Sequence, residues 1–269
     1  GASRERAKAL LVDLVRIPSP QTDKFEAEPL LRQFITEAVA PRLREAGIGD
    51  IRYDAMGNLI SSYGGGESGR SLMFVGHAMN QPKSTMENAY DGDVGDGAPH
   101  DLPGEVVLGK GASEQKSSLA AMLHAFETVI GGGLPVRGKL VFVCCVSGET
   151  GRHDAIRNVV ETEGIRADMA VLYGDSLMIT LGNRGRIDVF IRVLGEPCHS
   201  SQPGAGCNAI TGAMEVIRRL TTEIALDQTH PALGRVSLAI NHIRSSPDST
   251  HTIQGRCDIT VDRRLLPGE

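Results

Sequence analysis

Three observations on the 269-residue chain predict a doubly wound α/β sheet followed by a smaller α+β unit. Residues 139–146, KLVFVCCV, are almost continuously apolar, as expected of a strand covered on both faces, and residues 169–173 repeat the pattern. These runs alternate with segments of helical period, giving strand, helix, strand, helix, strand, the order of a sheet wound with helices. From about residue 186 the period shortens. Ile187, Val189, Ile191 and Val193 now alternate with Asp188, Phe190 and Arg192, the pattern of a sheet with one solvated face.

In chain order, residues 4–17 place Ala7, Leu10, Leu11, Leu14 and Val15 at helical spacing, and Pro18 and Pro20 stop the helix. Residues 25–46 predict a second amphipathic helix, kinked or restarted at Pro41 and ended by Gly47. Short strands follow at 51–54, 58–63 and 72–76, with a Gly/Ser turn at 64–69. Residues 79–104, rich in Asp, Gly, Asn and Pro, have no period of their own; a loop of that length in a compact domain is usually functional. A helix over 115–130, a glycine break at 131–133, the strand at 139–146, a helix over 153–163 and a buried strand at 169–173 complete the first unit, assigned to residues 1–184. In the second, residues 185–269, a helix over 208–224 and alternating strands at 236–243 and 253–265 follow the strand that starts at 186. The turn signal Leu266-Pro267-Gly268-Glu269 then expects a further element, so this unit reads as truncated at its C-terminal side.

Composition excludes several classes of function. Lys and Arg number 28 against 33 Asp and Glu, for a net charge of -5 with the signs interspersed, which gives no electrostatic case for nucleic acid or an anionic membrane. The apolar runs are strand-sized and far below the roughly 20 residues that span a bilayer. No signal peptide is visible. The five cysteines form no Cys-x-x-Cys spacing, and Cys144 and Cys145 lie inside the apolar strand, so a reducing cytoplasm is expected and a cysteine-based zinc site is not.

The chemistry centres on residues 107–121, VLGKGASEQKSSLAA, where an apolar strand end passes through Gly109 and Gly111 into a helix and leaves Glu114 at the turn. The plain alternative is that Glu114 is an acidic cap favoured by the helix dipole. Its company argues otherwise, because His77, Glu149 and Asp175 each follow an apolar run of their own. Strand C-termini are where an α/β sheet keeps its ligands. One imidazole and three carboxylates suit zinc, manganese or cobalt. Such ions, singly or as a pair, polarise an amide carbonyl and activate water. Arg184 and the helix start at Asn208 are candidate holders of a substrate carboxylate, with a surface charge at a domain hinge as the alternative for Arg184. His100, His124, His153, His230, His242 and His251 have no ligand spacing among themselves, and Cys207 lacks a local activating base.

Ordered motifs then carry a family resemblance: Gly76-His77 after a strand, GKGASEQKSSLAAM from Gly109, SGETG from Ser147, GDS from Gly174, GNRG from Gly182, CHSSQPGAGCNAI from Cys198 and DRRLLPGE from Asp262. Together the sequence resembles the zinc metallopeptidase family of aminoacylase, carboxypeptidase G, acetylornithine deacetylase and succinyl-diaminopimelate desuccinylase over nearly its whole length. The resemblance implies a catalytic α/β domain with an inserted α+β lid domain that forms a homodimer. It also implies that His77, Glu114, Glu149 and Asp175 are metal ligands, Glu114 in the bridging position, and that His199 reaches a substrate carbonyl and its developing oxyanion.

The departures from the family pattern are as specific. An aspartate that steadies the first histidine is replaced by Met79, with Asn80 beside it, so support for His77 is expected to be weaker. The bridging aspartate is Glu114, longer by a methylene. Where the family has two adjacent acids, the first a general base, this chain has Gly148-Glu149. Either Glu149 is the ligand and the base at 148 is lost, or Glu149 is the base and Thr150 stands in the ligand position; the first alignment fits Thr150-Gly151 better. The sequence therefore expects a metal-dependent hydrolase of amide bonds in N-acyl or N-carbamoyl amino acids or small peptides, with one or two zinc ions and a base supplied from Ser147, the 79–104 loop or elsewhere. The alternative is a degenerate, non-hydrolytic homologue that keeps the fold and lid dimer for binding or another reaction, with or without a metal.

Overall fold

The computed structural model describes residues 1–65, 69–82, 86–172 and 182–269, and the chain separates into two units, Gly1–Leu177 and Met178–Glu269. The first unit begins with α1 (Ala2–Val15), which buries Leu10, Leu14 and Val15. The helix predicted over 25–46 is broken into a 3-10 turn at Phe25–Ala27, α2 (Pro29–Phe34), a π turn at Ile35–Val39 and α3 (Ala40–Glu45). Glu28 starts α2 by accepting the Leu30 N–H at 3.3 Å, and Pro29 sits in the first turn, where its missing N–H leaves nothing unpaired. Pro41 occupies the first turn of α3, and the π turn ahead of it absorbs the missing donor.

Strands β1 (Asp50–Tyr53), β2 (Leu59–Gly64) and β3 (Ser71–His77) fall close to their predicted places. The stretch 79–104, which shows no period, contains β4 (Asp93–Asp96), paired antiparallel with β5 (Glu105–Leu108). With Val94 as its one apolar residue, β4 offers no alternation to detect. Next come α4 (Gln115–Phe126), β6 (Lys139–Cys145), α5 (Asp154–Arg157) and β7 (Met169–Leu172), with π turns extending α4 and α5.

The main sheet has the order β1-β2-β6-β3-β7, with β3 parallel to both β6 and β7 and with β2 antiparallel to its neighbours. Val141, Phe142, Val143 and Cys144 are buried at its centre. Helix α4 presents Leu119, Met122, Leu123 and Phe126 at helical spacing to this core. Phe126 meets Phe74 and Phe142 edge to face, with ring centroids 5.1 and 5.4 Å apart. Leu119 lies so close to β3 that a Cβ at Gly76 would fall 2.6 Å from its Cδ2 and would push that side chain aside. The expectation that residues 169–173 form a buried strand is corrected over β7: Leu172 is 65% exposed, and among the described residues β7 pairs with β3 on one side only.

The second unit contains β8 (Gly185–Leu194), α6 (Ala209–Thr222), a two-residue pair of β9 (Thr229–His230) and β10 (Gly234–Arg235), then β11 (Ser237–Ser246) and β12 (Arg256–Leu265). Strands β11, β12 and β8 lie side by side in that order, all antiparallel. Ala209 and Ala213 of α6 pack on Cys257, Ile259 and Val261, with Ile191 and Val193 beside them. On the opposite face, Arg186, Arg192, Arg256 and Arg264 interleave with Asp188, Asp258 and Asp262 in ion pairs; Arg186–Asp262 and Arg192–Asp258 join β8 to β12, and the others lie within one strand. The α/β and α+β character read from the sequence is borne out. No helix among the described residues is long and apolar enough to cross a membrane.

Candidate metal centre

The site is built where β3 and β6 end. Register places His77 level with Cys145, and main-chain pairing continues past both strands through Ala78 N–H to Cys145 O (2.8 Å) and Met79 N–H to Val146 O (3.1 Å). The chain leaving β6 is anchored further by a buried amide. Asn58 accepts the Val146 N–H at 2.8 Å and donates to Asp54 at 2.7 Å and to the Ala155 carbonyl at 3.1 Å. Asp54 accepts in addition from the Met56 and Asn58 N–H groups and from Asn158. With its donors and acceptors satisfied, this network fixes the path into residues 147–150.

His77 is 4% exposed, and its Nδ1 lies 2.9 Å from the Met79 carbonyl oxygen. A carbonyl only accepts, so Nδ1 carries the proton and Nε2 presents its lone pair. Burial pushes the His77 pKa down to about 4, against the opposing pull of the Met79 carbonyl, so the ring is neutral at physiological pH. Nε2 faces Glu149 Oε1 at 3.5 Å. Glu149 Oε1 is buried and accepts no hydrogen bond, while Gln81 donates to Oε2. Burial first, and then the charge of Glu114, push the Glu149 pKa up to about 7.

A divalent ion fits this pair. Two lone-pair donors face each other across a gap too wide for a good O–H···N bond. Ligands bound tetrahedrally to zinc at ordinary bond lengths stand about 3.3–3.5 Å apart. At Met79, where the sequence expects weaker support, the main-chain carbonyl holds His77 Nδ1 and fixes the tautomer.

Glu114 precedes α4 with φ -133 and ψ -127, and its side chain makes no capping hydrogen bond, which argues against the plain cap. Its charge is felt by Glu149. Even so, among the described residues no three His, Cys, Asp or Glu side chains gather closely enough to hold an ion together. Asp175 lies outside the described residues. Gly148 acquires a physical reason: a Cβ there would fall 2.2 Å from His77 Cδ2 and 2.5 Å from Nε2. The imidazole thus lies over the glycine, and a glutamate at 148 would displace it. Thr150 Oγ1 points to Glu26 at 3.3 Å, and Ser147 Oγ donates to the same carboxylate at 2.8 Å.

The remaining candidates belong to the second unit. His199 is exposed on a turn, its Nδ1 shared between the Ser201 hydroxyl at 2.8 Å and the Ser201 N–H at 3.2 Å. Asn208 caps α6 by accepting the Ile210 N–H at 2.9 Å, so its carbonyl oxygen is engaged. Arg184 donates to the Arg235 carbonyl. Sequence reasoning did not find Glu26, Gln81, Asn58 or the fully buried Lys116, whose Nζ donates to Ile17 O at 2.8 Å. Asp54 and Asn58 flanking Gly57 are a recognisable turn signal, whereas the Glu26 contact spans 121 residues and leaves no local trace.

Residues 181–269 match the family model of a peptidase dimerisation domain. Over 263 residues the chain is 26% identical to the uncharacterised Escherichia coli protein YgeY, covering 96% of this chain and 61% of that protein. It is 26% identical over 271 residues to a succinyl-diaminopimelate desuccinylase of Xylella fastidiosa, covering 96% and 67%. An acetylornithine deacetylase of Vibrio campbellii is also 26% identical, over 219 residues, covering 78% and 54%. The chain thus spans 61% of the length of YgeY and about half that of the deacetylase. Among solved structures, human carnosine dipeptidase 1 shares the fold with a TM-score of 0.73 at 17% identity, covering 100% of this chain and 72% of that one. The dipeptidase Dug1p of Saccharomyces cerevisiae does so with a TM-score of 0.75 at 14% identity, covering 100% and 71%.

Proposed function

We propose that this chain, a relative of the zinc metallopeptidase family of acetylornithine deacetylase and succinyl-diaminopimelate desuccinylase, is a metal-dependent hydrolase of amide bonds. The substrates proposed are N-acyl or N-carbamoyl amino acids and small peptides. What carries this is the approach of His77 Nε2 to a buried, unbonded Glu149 oxygen at 3.5 Å. The relatives' names supply the reaction class.

In this scheme His77 and Glu149 hold zinc, or manganese or cobalt in its place, with Glu114 and Asp175 as further ligands. One or two ions complete the site. The bound ion supplies Lewis-acid polarisation of the amide carbonyl. The chain's own residues do the rest: the Met79 carbonyl holds the proton on His77 Nδ1, and Gln81 orients Glu149. His199 is the proposed donor to the developing oxyanion, and Arg184 and the helix start at Asn208 are the proposed holders of a substrate carboxylate. Residues 181–269 are the proposed homodimer surface, matching a dimerisation domain. With glycine at 148, a residue elsewhere supplies the base; without one, turnover is expected to be lower by about 10²–10⁴.

The test is release of free amine from N-acetyl, N-succinyl and N-carbamoyl amino acids and from dipeptides, using intact protein loaded with zinc or manganese. Turnover that Glu149→Ala abolishes is expected. Metal-loaded protein that turns over none of these substrates, or turnover untouched by Glu149→Ala, contradicts it.

A further inference from the structure

The segment 147–150, which carries Glu149, is gripped from outside the sheet by residues far away in sequence. Glu26 Oε1 accepts a hydrogen bond from Ser147 Oγ at 2.8 Å and from Thr150 Oγ1 at 3.3 Å, so one carboxylate oxygen ties the two residues flanking Gly148-Glu149. Ser147 is 6% exposed and Glu26 half-buried, so their bond is partly shielded from solvent. Thr150 Oγ1 in turn accepts the Arg152 N–H at 3.3 Å. The Arg152 guanidinium lies over the Phe25 ring, 5.0 Å from its centroid, a second contact between the same two segments.

The backbone of the gripping segment is unusual. Phe25 has φ 48, in the left-handed region that a bulky residue adopts only when its surroundings impose it. That conformation aims Phe25 and Glu26 at one loop in successive positions. The adjoining Glu28 fixes the other side of the turn, accepting from Thr22 at 2.8 Å and from Leu30 N–H at 3.3 Å. The turn is therefore held at both ends and has little freedom to follow the 147–150 loop should that loop move.

Gly148 makes the grip necessary. The one residue between Ser147 and Glu149 has no side chain to lock its conformation, because the His77 ring occupies the space above it. A carboxylate placed 3.5 Å from an imidazole nitrogen through such a residue needs its flanks fixed by something else.

We propose that Glu26 is a positioning residue for the metal centre: by holding the Ser147 and Thr150 hydroxyls it sets the direction of Glu149 toward His77, and the 3-10 turn Phe25–Ala27 is the clip that delivers it. Glu26 acts through hydrogen bonds accepted by its oxygen and does not ligate the ion itself. The proposal rests on His77 and Glu149 being metal ligands.

Zinc titration calorimetry on the intact protein, stripped of metal beforehand, tests it with the melting temperature of each metal-free variant as a control. Glu26→Ala is expected to weaken zinc binding about 10- to 100-fold, the usual scale for an outer hydrogen-bond partner of a ligand. Glu26→Gln keeps an oxygen that accepts both hydroxyls and is expected to restore binding to within about threefold of wild type. Removing the bonds from the other side, in a Ser147→Ala and Thr150→Val double variant, is expected to match Glu26→Ala, and adding Glu26→Ala to it to cost no more. This arm decides the matter if Glu26→Ala does not fold. Binding of Glu26→Ala within about twofold of wild type, or glutamine as damaging as alanine, overturns the positioning role. Wild-type protein that binds no zinc, or binds it equally well after Glu149→Ala, overturns the metal centre and the clip together. Binding sensitive to Glu149 but not to Glu26 overturns the clip alone.

Discussion

His77 and His199 are the same side chain in opposite surroundings. The first is 4% exposed, pinned through Nδ1 to a main-chain carbonyl and packed against a glycine; the second is exposed on a turn and bonded to its own neighbour Ser201. Burial takes His77 down to about 4, so its neutral, lone-pair form is present without any ion. Nothing comparable confines the His199 ring. The contrast teaches that the backbone around an imidazole decides whether it is buried in one fixed tautomer or lies at the surface beside its own neighbours.

The buried side of the comparison breaks most severely at Asn58. Asn58→Ala leaves the Val146 N–H and part of Asp54 without partners and is expected to cost about 2–4 kcal/mol in denaturant unfolding. Unchanged stability would mean that water replaces the amide. Gly148→Ala comes next. Its methyl would sit 2.2 Å from His77 Cδ2, with an expected loss of about 1–3 kcal/mol and a shifted His77 ring resonance by NMR. A ring that stays in place would show that the loop gives way instead.

Lys116 extends the rule from imidazole to ammonium. Burial lowers its pKa to about 7 from the ordinary 10.5, although the Ile17 carbonyl and the faces of Phe34 and Tyr90 favour its charged form. Between those two values the unfolded chain holds a proton that the folded chain has released, so stability rises with pH. Below pH 7 both states are protonated and the gain is absent. Wild type is therefore expected to gain about 1–2 kcal/mol on the Lys116→Met variant between pH 7 and pH 9. A pH-independent difference would show that Lys116 stays charged. At the exposed end, His199→Ala is expected to change stability by no more than about 0.5 kcal/mol. A larger loss would mean that the turn depends on the ring.

The sequence made the scaffold of the site legible through hydrophobic period. Residues 139–146 and the face Leu119, Met122, Leu123 and Phe126 place β6 and α4 correctly, and reading His77 and Glu149 as strand-end residues led to two groups that do face each other. The rest depends on features without a sequence pattern. The Met79 main-chain carbonyl accepts from His77 Nδ1, and no side-chain comparison reveals it. Gly148, read from the sequence as the position of a lost base, also leaves room for the His77 ring, which no sequence pattern reveals. Strand β4 escaped because a strand of Asp, Val, Gly and Asp has no apolar period, and β7 was taken for buried because its apolar run says nothing of its place at the sheet's edge.

The most direct measurement is anomalous diffraction at the zinc edge from zinc-soaked crystals of the intact protein. A peak within about 2.0–2.2 Å of both His77 Nε2 and Glu149 Oε1 is the expected result. A zinc peak bound elsewhere, with His77 and Glu149 keeping their 3.5 Å separation and no ion between them, would contradict a metal centre at these strand ends.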